Sequence, residues 1–312
     1  MTDTRKQTLR DLFNAEARRA TRDHARLHNG LLIVDSAHDQ SVYAGTTPEL
    51  DIALSKRRAD DAAFLEKLSF GSDHSFCSKR LGFNLIVMAP HVTLANAMFG
   101  LPQHQETLFV LDHEIGHLVV EGGYFSGRDF MREACADTYA LLRAGQRWGD
   151  MAPFLRANRF KRAFDLVFKG RMSHYTLPAT AALAQMAPAL DLAAMSPHDV
   201  AALAQTLMEN NTPAGVDLAQ MVIDFGSVKA AYDGNDDNID EAARLLARMA
   251  QGDTLSPLGQ LTARLALREL LSGEMLVHGK PVKLEGTRWA QVADWLARTE
   301  ARAVPFAPSP EQ

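Results

Sequence analysis

The sequence predicts an α+β protein, with a small mixed α/β lobe over residues 1–124 and a mostly helical lobe over 125–312. Three observations carry this. Short apolar runs at 31–36 (LLIVDS), 41–45 (SVYAG) and 83–90 (FNLIVMAP) have the length and boundaries of strands. From residue 105 the apolar spacing becomes helical. Beyond residue 150, Ala, Leu and Met dominate, and helix starts of the N-cap-plus-proline kind recur at Ser196-Pro197, Thr212-Pro213 and Ser256-Pro257.

Taken in order, residues 5–27 read as a charged helix, followed by the two short strands at 31–36 and 41–45. Thr47-Pro48-Glu49 starts a helix that runs to about Leu68, with Thr as N-cap and Pro in the first turn. GSDHSFCSKRLG (71–82) reads as a polar loop. FNLIVMAP is the strongest strand and ends at Pro90. A helix over 105–121 stops at Gly122-Gly123, and a second covers about 129–144. The later helices show no fixed period, which excludes a solenoid. DGNDDNIDE (233–241) resembles a calcium loop but has Arg244 where the twelfth-position glutamate belongs, so Asn238 is expected to cap the next helix instead. MLVHGKPVKL (275–284) reads as a hairpin. TRWAQVADWLART (287–299) is an amphipathic helix with Trp289, Val292, Ala293 and Leu296 on its core face.

The 312 residues are 46% hydrophobic and 23% charged, which is enough apolar material for a sizeable core. Net charge is −5 and no Lys/Arg stripe appears, so nucleic acid is not an expected partner. Two cysteines, Cys77 and Cys135, are too few for a disulfide framework and suit a reducing compartment. The N-terminal stretch lacks an apolar segment and carries Asp3, Asp11 and Glu16, which fits neither a secretory signal nor a mitochondrial presequence. No run approaches the roughly 20 apolar residues of a membrane span. The expected location is the cytoplasm, with no membrane partner; export through a non-cleaved signal would leave no such trace.

The chemistry concentrates in VLDHEIGHLVVEGG (110–123). His113 and His117 are four apart, one helical turn, and two imidazoles so placed can share a tetrahedral Zn2+. Glu114 is rotated by about 100° from His113, beside such a metal rather than on it, where a general base must stand to take a proton from activated water. Two histidines leave a zinc site short of a ligand. REACADTYA (132–140) follows on the next helix, where Glu133 and Asp137 are again four apart. Glu133 can be the third ligand. Asp137 can hold the outer nitrogen of a ligand histidine and fix its tautomer. Ala134 and Ala136 are small enough to let the two helices approach closely.

HEIGH followed by EACAD resembles the zincin metallopeptidases, specifically the gluzincin branch to which thermolysin belongs. The resemblance covers about 107–142. It implies a zincin-like fold in which the two lobes form one catalytic unit, Zn2+ as cofactor, and a protein or peptide substrate. It makes His113, His117 and Glu133 the zinc ligands, Glu114 the general base and Asp137 the partner of a ligand histidine. HExxH proteases that cleave phage-type repressors are a looser relative, but they usually carry a DNA-binding module not seen here. The metzincin pattern fails at Val120 and Gly123. The resemblance also implies an edge strand above the active-site helix to hold substrate by strand addition, with FNLIVMAP the natural candidate and a central core strand its rival. Gluzincins usually add a His or Tyr oxyanion donor beyond the third ligand. His174 and Tyr175, in a polar connection before Pro178, are the candidates, with Tyr124 and Tyr139 as weaker ones.

Glu121 is a competing third ligand, but it would have to fold back over a full turn. Cys135 reads as a small core residue rather than a fourth ligand. His24 and His28 share the four-residue spacing without an acidic partner and read as a solvated helix face. The alternative from another class is a non-catalytic zinc-binding interaction protein with a zincin-like fold; an intact Glu114 argues against it.

Overall fold

The computed structural model describes residues 3–28, 30–35, 43–44, 76–80, 83–88, 101–119, 129–213, 215–273, 275–277 and 280–300. The helix expected from Thr47 lies outside them. The chain forms two compact units, Met1–Asn158 with Ser173–Thr212, and Arg159–Met172 with Pro213–Gln312. This division differs from the expected boundary after residue 124. The helix carrying Glu133 packs against the helix carrying His113 and His117, so both belong to the first unit.

In the first unit, helix α1 (Asp3–Asp23) leads through a 3-10 turn (Ala25–Leu27) into a four-stranded sheet. The strands are β1 (Leu31–Asp35), β2 (Tyr43–Ala44), β3 (Phe76–Arg80) and β4 (Phe83–Met88), in the order β2-β1-β4-β3. β1 and β4 are parallel, with Leu31 opposite Asn84 and Asp35 opposite Met88. Leu31 to Ile33 and Leu85 to Met88 are buried without alternation, the pattern of strands covered on both faces. FNLIVMAP is therefore a central strand, which corrects its candidacy as the edge. The edge beside it is β3, antiparallel to β4 with Phe76 opposite Val87 and Arg80 opposite Phe83. β3 falls inside the segment expected to be a polar loop.

Helix α2 (Gln103–Val119) packs on β3, β4 and helix α3 (Asp129–Trp148). Helix α4 (Ala152–Val167) begins in the first unit and continues into the second. Helices α5 (Leu177–Met186) and α6 (Pro197–Asn210) pack against α3 and each other. Ser196 caps α6 in a full capping box with Asp199, as its sequence predicts.

The second unit contains α7 (Gly215–Asp224), α8 (Gly226–Tyr232), α9 (Ile239–Gln251), α10 (Pro257–Ser272), the hairpin β5 (Met275–Val277) and β6 (Lys280–Val282), and α11 (Thr287–Glu300). Ser256 caps α10 by accepting from the Gly259 amide. Two expected caps are otherwise. The Thr212 hydroxyl donates back to the Met208 carbonyl, and Asn238 makes no side-chain cap, whereas Asn235 caps the 3-10 turn before it. On α11, Trp289, Val292 and Leu296 are buried as expected, but Ala293 is exposed. Among the described residues no helix is long and apolar enough to cross a membrane.

Candidate metal centre

The apolar residues Leu108, Phe109, Leu111, Ile115 and Leu118 root α2 in the core, which fixes the direction of the helix face bearing His113 and His117. The two Nε2 atoms stand 3.1 Å apart, with the rings edge to face at 84°. From α3, Glu133 completes the group. Oε2 lies 3.4 Å from His113 Nε2, and Oε1 lies 3.4 Å from His117 Nε2. These three residues are the group among the described residues whose donor atoms converge as a metal ligand set would. Zinc bonds of 2.0–2.1 Å at tetrahedral angles separate neighbouring ligand atoms by about 3.3 Å. Separations of 3.1, 3.4 and 3.4 Å fit that figure, as does the chemistry of two imidazoles and one carboxylate.

Behind this group, the His113 Nδ1 lies 2.9 Å from Asp137 Oδ1, and the Asp137 side chain is 1% exposed. Burial disfavours charge on the ring. The hydrogen bonds to Asp137 and Glu133 and their negative charges outweigh it and carry His113 up to about 10. Glu114 follows His113 on α2 and is 5% exposed, a side chain held out of bulk water.

The two helices can come this close because of Gly116. A Cβ there would stand 2.9 Å from the Ala136 Cα and 3.3 Å from the Tyr139 Cβ. Ala136 lies at that contact, in the role its size predicts, and Ala134 is buried as well.

Sequence reasoning missed the support beneath the site. Asp112, directly before His113, is buried and accepts from Arg19 Nη2 at 2.8 Å and Arg147 Nη2 at 3.0 Å. The same two guanidiniums hold Glu16, Arg19 through Nε at 2.7 Å and Arg147 through Nη1 at 2.7 Å. Burial alone would raise Glu16, but the Arg147 hydrogen bond and the Arg19 and Arg147 charges bring it down to about 2. Two carboxylates and two guanidiniums thus bind α1, α2 and α3 together. A second tie joins His24 Nε2 and the Tyr139 hydroxyl at 2.8 Å. Burial, with Arg19 nearby, lowers His24 to about 4, so the ring is neutral. His24 is therefore a core residue, correcting its reading as part of a solvated helix face, while His28 is exposed. The one available signal was charge interrupting apolar runs, as Asp112 does in LFVLDHEIGH.

Tyr139 is fully buried against His24, which leaves it no access to substrate. Cys135 is a buried thiol, pushed up to about 12 by burial and by Glu209, and stands outside the ligand group. His174 ends a 3-10 turn and is half-buried, and Tyr175 is 3% exposed. Both belong to the unit that holds the cluster, but neither is among the three converging residues. Glu121 and Tyr124 lie outside the described residues.

No protein-family model, curated protein or solved structure matches this chain.

Proposed function

We propose that the chain is a zinc-dependent metallopeptidase of zincin-like fold, gluzincin in type, acting on a protein or peptide substrate in the cytoplasm. The observation that carries the reading is the convergence of His113, His117 and Glu133, with Asp137 on the outer nitrogen of His113. Three protein ligands leave a tetrahedral ion one open position, the arrangement of a catalytic site. Bound there, zinc supplies Lewis-acid polarisation of a carbonyl and acidifies water. Glu114 accepts the proton from the attacking water and returns it to the leaving amine. Asp137 fixes His113 in the tautomer whose Nε2 lone pair faces the cluster. The edge for strand addition passes from β4 to β3, which packs near α2. His174 or Tyr175 is the proposed donor to the oxyanion.

One experiment tests the roles together: zinc content and peptide turnover of the wild type, Glu114→Gln, His174→Ala and Tyr175→Phe. Glu114→Gln keeps about one zinc per chain and loses hydrolysis. His174→Ala or Tyr175→Phe keeps zinc and loses roughly 10²-fold in turnover. Zinc binding without turnover in the wild type would instead establish the non-catalytic zinc protein. Turnover by Glu114→Gln at the wild-type rate would end the mechanism.

A further inference from the structure

The second unit holds a shallow cavity of its own, between α9 and α11, of about 410 Å3 and widely open to solvent. Its floor includes Trp289 and Val292, 4% and 8% exposed. Arg244 and Arg248 from α9 and Arg288 and Gln291 from α11 form the walls. The floor is fixed: Trp289 Nε1 donates to Asp240 Oδ1 at 2.8 Å. Asp240 also pairs with Arg244, so one wall cation is partly neutralised. Arg248 and Arg288 are exposed and have neither an ion pair nor a hydrogen bond from their side chains among the described residues.

The concentration of cations is local, since the chain as a whole carries −5. Three guanidiniums drawn from two helices surround one space instead of lining a single solvated face. Arg presents a rigid fork of donors that matches phosphate oxygens two at a time. The volume falls within the range of roughly 300–1,000 Å3 typical of small-molecule sites and is small for a docked helix. Gln251 and Gln291, exposed on the same lining, offer their aliphatic stems to a ligand's uncharged part.

We propose that this cavity binds a small phosphorylated organic molecule of nucleoside-phosphate size, with Arg248 and Arg288 gripping the phosphate and the exposed Gln251 and Gln291 side chains meeting the organic part. The proposal is independent of the metal centre, which lies in the other unit.

Calorimetric titration of the full-length protein tests it, with ADP, inorganic pyrophosphate and a decapeptide of glutamate as probes. ADP is expected to bind more tightly than pyrophosphate. Arg248→Ala and Arg288→Ala are each expected to weaken ADP binding tenfold or more. Arg248→Lys gives a smaller loss, because charge remains and the fork is gone. Arg298→Ala, an exposed arginine on α11 outside the cavity, leaves binding unchanged. All these side chains are exposed, so the variants keep the fold, which circular dichroism checks. Absence of ADP binding, or equal affinity in Arg248→Ala and Arg288→Ala, overturns the proposal. Equal affinity for pyrophosphate removes the organic part. Binding of the glutamate peptide without ADP assigns the groove to an acidic protein segment instead.

Discussion

Asp137 is the residue on which the proposed centre is most finely balanced. It touches no position a substrate would occupy, yet its carboxylate, 2.9 Å from His113 Nδ1, sets which nitrogen of the ring faces Glu133. Asp137→Ala is expected to lower zinc affinity or turnover by about 10–100-fold while the helices stay folded. A zinc titration of that variant matching the wild type would remove the role. Residues of this kind were legible because their partners are local. His113 to His117 and Glu133 to Asp137 are each spaced by one helical turn, and that spacing alone puts each pair on a shared face. Asp112 was illegible for the opposite reason. Its partner Arg19 lies 93 positions away, and nothing in the spacing of either residue announces the other. Breaking such a buried charge group at one member is a costly change, on the order of 3–5 kcal/mol, because it strands the remaining charges.

At the scale of elements, the strands divide by what surrounds them. β1 and β4 were readable as strands from continuous apolar runs. That same continuity pointed to a covered, central position and not to an edge. β3, with the sequence FCSKR, looked like loop because an edge strand needs little apolar material and carries charge that discourages further pairing. Capping signals had a similar fate. Ser196 and Ser256 cap because their hydroxyls meet free amides ahead of them, whereas Thr212 finds a carbonyl behind it first. The contact of α2 with α3 depends on the missing side chain of Gly116. Gly116→Ala places a methyl against the Ala136 backbone, which cannot move aside as a flexible side chain would. The expected result is a loss of about 1–3 kcal/mol in urea unfolding. Weaker zinc binding should accompany it, since ligands from α2 and α3 are pushed apart. Unfolding and zinc curves that both overlay the wild type would show that the helices have room to spare.

For the whole molecule, acid is the informative perturbation. His24 has an ordinary value near 6.5 and is held at about 4 in the fold, so the unfolded chain binds more protons between those values. Stability from His24 is complete above about pH 6.5 and is lost as pH falls through about 4, by at most about 3 kcal/mol. Glu16, lowered from 4.5 to about 2, extends the loss into stronger acid. Urea unfolding at pH 6, 5 and 4, where His113 is protonated in the fold and gains little more, should therefore show a falling midpoint, and His24→Gln, which cannot titrate, should flatten the upper part of the fall. An unchanged slope in His24→Gln would assign the effect elsewhere. The path of the backbone has a separate consequence. The segment Arg159–Met172 belongs to the second unit but is written between two parts of the first. It supplies Phe164 and Phe168, whose rings lie 5.5 and 5.6 Å from Tyr232, and Arg159, which pairs with Glu269. Residues 213–312 produced alone would thus lack their own aromatic core and the partner of Glu269. They are expected to show no cooperative thermal transition until 159–172 is restored, either as an added peptide or fused ahead of residue 213. During synthesis, residues 159–172 emerge well before the remainder of their own unit has been made.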